Sequence, residues 1–402
     1  MKVLQINAVY GVGSTGVIVR DIHELCLENG IESYVAYSTS NTSPESIING
    51  YQIGNTLDKK LHALLCRING KQAYFSRGAT KKFINHIKEI KPDVVHLHNL
   101  HSNYVHLNML LDFLAKEDIA TVITLHDCWF YTGGCFYYTA VNCDKWMQSC
   151  GDCPKRFADT PAYIVDRSSM VLEDKRKRFS KIKRLTVVGV SQWISEEANK
   201  SFLKQHEICT IYNGIDTDFF VNTPSDFREK YGLQDKFLIL GAANKWLKDI
   251  NKDTLNYFVS NLPDDCKLII MGCQSNDIEK LPSNVLAIPF TTDRVELKKI
   301  YSACDVFANC TREDTFSLIN IEPQACGTPS VVYENSGVKE TVDNKSSFLI
   351  PNGDYQAFFE KVLSIKKIGK SQFSEMCRCH VVSKFDKRLN YLKYIDLYKS
   401  LG

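Results

Sequence analysis

The chain has 402 residues, 44% hydrophobic and 24% charged, with a net charge of +3 at pH 7. That length exceeds what one core organises, so two domains of ordinary size are expected, with the composition of a globular protein. The small net charge gives no bulk electrostatic reason to bind nucleic acid, and no apolar run approaches the ~20 residues that span a bilayer.

The opening MKVLQINAVYG reads as a strand and turn, without the basic segment, apolar core and cleavage site of a secretory leader. A cytoplasmic protein is therefore expected. In that reducing setting its fifteen cysteines are expected as thiols or metal ligands rather than disulfides. Strands are expected at Val3–Val9, Glu32–Tyr37, Val94–His98, Thr121–Leu125 and Leu185–Val190, with helices at Ile18–Glu28 and Thr80–Ile90 between them. This alternation is that of a parallel sheet with crossover helices. The segment Tyr212–Thr223 is rich in turn formers and marks a join. After it, strands are expected at Phe237–Gly241, Lys267–Met271, Val285–Pro289, Val306–Asn309 and Ser330–Tyr333. Helices fall around Asp253–Leu262, Leu297–Ala303 and Ile319–Cys326, and Arg388–Leu401 suits an amphipathic closing helix. Two doubly wound α/β sheets facing a central cleft would line it with both sets of strand C-termini, where such folds bind ligands.

Gly11-Val12-Gly13-Ser14-Thr15-Gly16 is a G-x-G-x-x-G between strand and helix. The dinucleotide fingerprint also wants an acid closing the second strand, which here ends Ala36-Tyr37-Ser38-Thr39. A nucleotide-binding oxidoreductase is thus the alternative rather than the main reading. The glycines, Gly13 and Gly16 among them, let backbone N–H groups approach an anion at a helix N-terminus. His126, in Thr124-Leu125-His126-Asp127, stands past a strand end, where it can exchange hydrogen bonds with a ligand. His96, His98 and His101 cluster past the preceding strand without a specific metal-ligand pattern.

The most specific block is Arg312 to Pro329, in which an acid is followed after seven residues by Glu322 and then a Gly-Thr-Pro turn. Thr315, Phe316, Ser317 and Leu318 would begin a helix whose free N–H groups hold a diphosphate. Glu322 would accept from a ribose, and Asp314 would face sugar hydroxyls. Cys135, Cys143, Cys150 and Cys153, with Cys128 just ahead, suggest a structural four-thiolate zinc site, the alternative being free loop thiols. The run Lys175 to Arg178, with Lys181, Lys183 and Arg184, reads as a solvated helix face or one attracted to an anionic membrane.

These motifs resemble the large family of retaining GT-B glycosyltransferases that includes sucrose synthase and bacterial mannosyltransferases (family 4). The branch making capsule, colanic-acid-like and O-antigen polysaccharides is most alike. The likeness runs end to end: the Gly loop, HLHNLHSNY, Leu125-His126-Asp127, Asn213-Gly214-Ile215-Asp216, Asp314–Pro329 and the last helix. It implies an acceptor-binding domain over residues 1–212, a nucleotide-sugar-binding domain over 213–384, and a closing helix over 385–402 that returns to the first. It also implies a donor nucleotide sugar, with UDP as its nucleotide, and a glycan or lipid-linked acceptor. The enzyme would work in the cytoplasm, peripherally at the inner face of the plasma membrane. His126, Asp314 and Glu322 would form the catalytic set, with no metal required for transfer. Relatives carry a basic pair after the first strand of the second domain. Here Lys245 takes the first position, while Ile250 stands at the second, flanked by Lys248 and Lys252. That departure leaves a weakened, binding-only protein as a further alternative.

Overall fold

The computed structural model describes residues 1–402 except Thr160 and Lys280. The chain divides into two compact units, Met1–Asn213 with Arg388–Gly402, and Gly214–Lys387.

The first unit holds a seven-stranded sheet, all of whose pairings are parallel. In chain order its strands are β1 (Lys2–Ile6), β2 (Glu32–Tyr37), β3 (Gly50–Gln52), β4 (Val94–Leu97), β5 (Ala120–Leu125), β6 (Leu185–Gly189) and β7 (Glu207–Thr210). They lie side by side as β3-β2-β1-β4-β5-β6-β7. Strand order reverses between β1 and β4, and this switch point is where doubly wound sheets bind ligands. The central strands are buried on both faces, Val94–Leu97 and Ala120–Leu125 throughout, which is why they read as unbroken apolar runs.

The second unit carries six strands: β8 (Phe237–Ala242), β9 (Cys266–Cys273), β10 (Val285–Pro289), β11 (Val306–Asn309), β12 (Ser330–Glu334) and β13 (Phe348–Pro351). Their spatial order, β10-β9-β8-β11-β12-β13, repeats the first sheet's pattern, with the switch between β8 and β11. The core here includes Trp246, Phe258, Phe358 and Tyr333 under Ile239, Leu268 and Val331.

The structure departs from the sequence reading in several places. The strands β3, β7 and β13 escaped it, and all three are short edge or near-edge strands that do not bury both faces. The first helix starts at Gly13 rather than Ile18, because glycines and small polar residues at a helix start carry no apolar period. The expected helix start at Thr315 lies at Leu318, with Ser317 as N-cap. The basic run is not one solvated face. Lys175 is fully buried, and Arg178 pairs with Asp174 at 3.1 Å and Asp112 at 3.4 Å. Among the described residues, no helix is long and apolar enough to cross a membrane.

Candidate functional site

In the second unit the candidate residues stand past the C-terminal ends of β8 and β11. Trp246 anchors the turn after β8: its indole N–H donates to the Ala308 carbonyl at 2.7 Å. This turn presents Lys245, whose ammonium pairs with Asp314 at 2.9 Å, both groups largely screened from solvent. A buried amide network fixes the loop after β11. Asn309 donates to Asn320 at 2.6 Å, Asn320 donates to Thr341 at 2.9 Å, and the Thr311 amide donates back to Asn309 at 3.0 Å. The Gly337 amide holds the Asp314 carbonyl at 3.2 Å. Buried polar groups so fully matched specify one loop geometry.

Thr315, Phe316 and Ser317 are buried ahead of the helix Leu318–Ala325, whose N-terminus lacks a side-chain cap and so favours negative charge. Glu322 lies about one turn into that helix. Its carboxylate accepts from the Tyr301 hydroxyl at 2.8 Å. Burial pushes the carboxyl up to about 7, opposed by the Tyr301 bond and the nearby Arg294 cation. Lys252 is exposed at the first position of Lys252–Asn261, and Ile250 is half exposed.

Three residues here were not singled out from sequence. Arg312 donates to Asn251 at 3.0 Å and lies over the Tyr333 ring at 4.7 Å. With Lys245 and Lys248 it sets the cationic surroundings of Cys310, at the end of β11. Tyr301 and Arg294 both belong to the helix Arg294–Ala303 and act on Glu322. Arg312 adjoins the acid motif and was legible as a cation there; Tyr301 and Arg294 carry no local signal.

In the first unit, Gly11 and Gly13 adopt φ of 68° and 64°, a region that favours glycine. A Cβ on Gly16 would approach the Gly11 nitrogen to 3.2 Å, and the Gly11 amide donates to the Gly16 carbonyl at 2.9 Å. The helix Gly13–Glu28 has no side-chain cap, and Gly13 and Ser14 are exposed at its start.

His126 follows β5 and is one end of a hydrogen-bond chain with a fixed sense. The Gln5 amide nitrogen donates to the Val19 carbonyl at 3.3 Å, so the Gln5 amide oxygen faces His98 Nε2 at 3.2 Å. That oxygen can only accept, which puts the His98 proton on Nε2. His98 Nδ1 is then the acceptor for His126 Nε2–H at 3.0 Å. Burial holds His98 well below its usual range and His126 at about 4, so both rings are neutral. His96 is likewise enclosed, between the Tyr398 hydroxyl at 2.6 Å and the Thr124 hydroxyl at 2.7 Å. His101 pairs with Asp127 at 2.9 Å. The histidine cluster is therefore a set of hydrogen-bonded partners.

Cys135, Cys143, Cys150 and Cys153 are free thiols that line a common cavity of about 20 Å³. Among the described residues, no three His, Cys, Asp or Glu side chains are gathered closely enough to hold a metal ion.

Two doubly wound sheets of like strand order, each with polar groups past its strand ends at the switch point, define the GT-B class of glycosyltransferase fold. Residues 15–219, half of the chain, match the model described as Glycosyltransferase Family 4, and residues 224–367 match Glycosyl transferases group 1. The chain belongs to glycosyltransferase family 4 and is a glycosyltransferase. It is 23% identical over full length to a protein described as putative colanic acid biosynthesis glycosyl transferase WcaC of Escherichia coli K12, covering 100% of both chains. Among solved structures, sucrose-phosphate synthase from Thermosynechococcus elongatus aligns with a TM-score of 0.72 at 16% identity, covering 100% of this chain and 98% of that one. Anabaena Alr3699/HepE, solved in complex with UDP, aligns at 0.69 and 16%, covering 100% of both.

Proposed function

We propose that the protein transfers a sugar with retention of anomeric configuration from a UDP-sugar to a glycan or lipid-linked acceptor in surface-polysaccharide synthesis. The observation that carries this reading is the grouping past β8 and β11: the Lys245–Asp314 pair, the uncapped helix at Leu318, and Glu322 a turn further in. In it, Lys245 and the helix N-terminus meet the charge that develops on the leaving diphosphate, as preorganised donors do. Glu322 accepts from the ribose hydroxyls, and Asp314 accepts from the sugar. In the first unit, the glycine turn at Gly13 and Gly16 offers backbone N–H donors to an anion, and neutral His126 exchanges a hydrogen bond with a sugar hydroxyl, orienting the sugar. These groups supply the neutralisation without a catalytic metal. The UDP complexes of the HepE fold relative and the colanic-acid assignment of the WcaC relative support the nucleotide and the pathway class.

A hold on an anionic membrane fits the helix Thr56–Asn69 better than the basic run. Leu57, Leu61, Leu64 and Ile68 are 75%, 54%, 53% and 45% exposed, at the spacing of one helix face, and Lys60 and Arg67 flank them. The Tyr163 amide donates to the Arg67 carbonyl at 2.8 Å, bringing exposed Tyr163 and Ile164 alongside. A basic-rimmed apolar stripe of this kind seats in lipid headgroups. Flotation with anionic but not neutral vesicles, weakened in Leu61→Asp, is its expected signature.

The decisive test of transfer is a thermal-shift series with UDP, GDP, ADP and NAD. A shift with UDP that Glu322→Ala abolishes is the expected outcome, followed by NMR of the product anomeric centre. A shift with NAD alone, or an inverted product, sinks the proposal.

A further inference from the structure

His96 and His98 are wholly buried, and each is hydrogen-bonded through both ring nitrogens. His101 is built differently. It lies just past β4, and its Nε2 meets Asp127, just past the neighbouring strand β5, at 2.9 Å. Its side chain keeps 10% of its surface exposed. Among the described residues its Nδ1 is neither hydrogen-bonded nor enclosed. One ring nitrogen is thus anchored and the other is open.

The surroundings hold this pair in place. The Trp129 amide donates to the other Asp127 oxygen at 2.8 Å. Gln72 links the two loops: it accepts from the Trp129 indole N–H at 2.7 Å and donates to the His101 carbonyl at 2.5 Å. The buried Lys175 ammonium lies 3.5 Å from the centre of the Trp129 ring and donates to the Trp129 and Thr132 carbonyls. Phe136 packs against the imidazole, ring centres 4.2 Å apart. A reactive group gains precision from supports of this kind. The Asp127 oxygen can only accept, so the neutral imidazole carries its proton on Nε2 and offers a lone pair at Nδ1. A carboxylate behind the far nitrogen also stabilises the imidazolium that forms once Nδ1 takes a proton. Strand ends of a doubly wound sheet are where such chemistry is placed.

We propose that His101, held by Asp127, is the base that receives the proton of the acceptor hydroxyl, an inference that rests on the transferase reading above. The acceptor oxygen bonds to the donor sugar's anomeric carbon while the bond from that carbon to the diphosphate breaks. The electron pair of the broken bond leaves with UDP, and the acceptor proton moves to Nδ1 of His101. Asp127 balances the imidazolium, which returns the proton to water after UDP departs. Asp127 follows directly on His126, so the base stands beside the ring that orients the sugar.

The test uses full-length protein with UDP-glucose, UDP-galactose and UDP-N-acetylglucosamine as donors. The acceptors are p-nitrophenyl glycosides of glucose, galactose and fucose, and UDP release is the readout. His101→Gln keeps a hydrogen-bond partner for Asp127 but no base. It should lower kcat about a hundredfold or more, with donor KM and the UDP thermal shift unchanged. Asp127→Asn should do the same by a different route: its oxygen stays with the Trp129 amide, its NH2 faces His101, and the ring proton moves to Nδ1. A His101→Gln enzyme with parental kcat overturns the proposal and leaves the pair as a loop fastener. Should none of these sugars turn over, ring-nitrogen NMR decides. The parent is expected to show His101 protonated at Nε2 with Nδ1 bare, and Asp127→Asn the reverse; a proton on Nδ1 in the parent overturns the proposal. Failure of the donor reading is a separate result, since the parent itself then shows no UDP shift.

Discussion

Glu322→Gln separates what Glu322 does for function from what it costs the fold. Burial lifts this carboxyl from an ordinary 4.5 to about 7. At about 1.4 kcal/mol per tenfold, holding it ionised in the folded protein costs about 3 kcal/mol as an upper bound. Below the unfolded value both states are neutral there and nothing is lost. Between 4.5 and about 7 the folded state keeps a proton that the unfolded state has released, so stability falls as pH rises through this window. Glutamine keeps an oxygen for the Tyr301 hydroxyl and carries no charge. The variant should therefore match the parent near pH 4 and exceed it by up to about 3 kcal/mol at pH 8. Urea melts at both pH values measure this, and UDP titrations follow alongside. Parent affinity for UDP should rise from pH 6 to pH 8 as the acceptor ionises, while the variant binds weakly and flatly. A variant no more stable than the parent at pH 8 refutes the burial argument. A variant that binds UDP as tightly as the parent refutes the ribose role.

Lys245→Ala should weaken UDP binding about ten- to a hundredfold, the worth of a charge-assisted bond, as isothermal titration would read. His98→Leu strands the His126 Nε2–H and the Gln5 oxygen, at about 1–3 kcal/mol each. It should lower kcat more than donor KM and shift the His126 ring-nitrogen NMR signals away from the Nε2–H pattern; unchanged signals would dismiss the relay. Gly241→Ala would put a Cβ 2.2 Å from the Trp246 indole nitrogen. It should destabilise the second unit by roughly 1–3 kcal/mol, visible as a lowered Tm.

The two-sheet α/β architecture was legible because parallel strands buried on both faces write long apolar runs, as in Val94–Leu97 and Phe237–Ala242. The edge strands were not, since Gly50–Gln52 and Phe348–Pro351 bury too little to leave a period. Strand-end position marked His126 and the acid motif, because a doubly wound sheet carries its polar chemistry there. The partners were hidden for a different reason. Tyr301 reaches Glu322 across 21 positions, and His98 reaches Gln5 across 93; only the fold brings such pairs together. Lys175 misled most. A run of four basic residues looks solvated at every position, and only the neighbouring Trp129 and Thr132 carbonyls reveal that its first member turns inward.

On the proposed reading, the ion pair between Lys245 and Asp314 bears on how the donor site works with Ile250 at the position where the family resemblance implies a second cation. Ile250 is half exposed and contributes no charge, so on that reading the diphosphate finds its positive charge elsewhere in this unit. Arg312 and Lys248 share the end of β11 with Lys245, and Arg312 is held in place by Asn251 and the Tyr333 ring. Gly353 makes room for it: a Cβ there would lie 2.0 Å from the Arg312 guanidinium. Without donor, Asp314 occupies the Lys245 ammonium at 2.9 Å. On the proposed reading, diphosphate competes for that ammonium, and each displacement frees the Asp314 carboxylate for a sugar hydroxyl. Nucleotide and sugar are thereby recognised together. It follows that UDP alone, which takes the lysine but offers Asp314 no hydroxyl, should bind more weakly than the matching UDP-sugar. Asp314→Asn, which releases Lys245 from its partner, should narrow or reverse that difference by strengthening UDP. Equal weakening of both ligands in Asp314→Asn would show that the pair is a fixed support rather than an exchange.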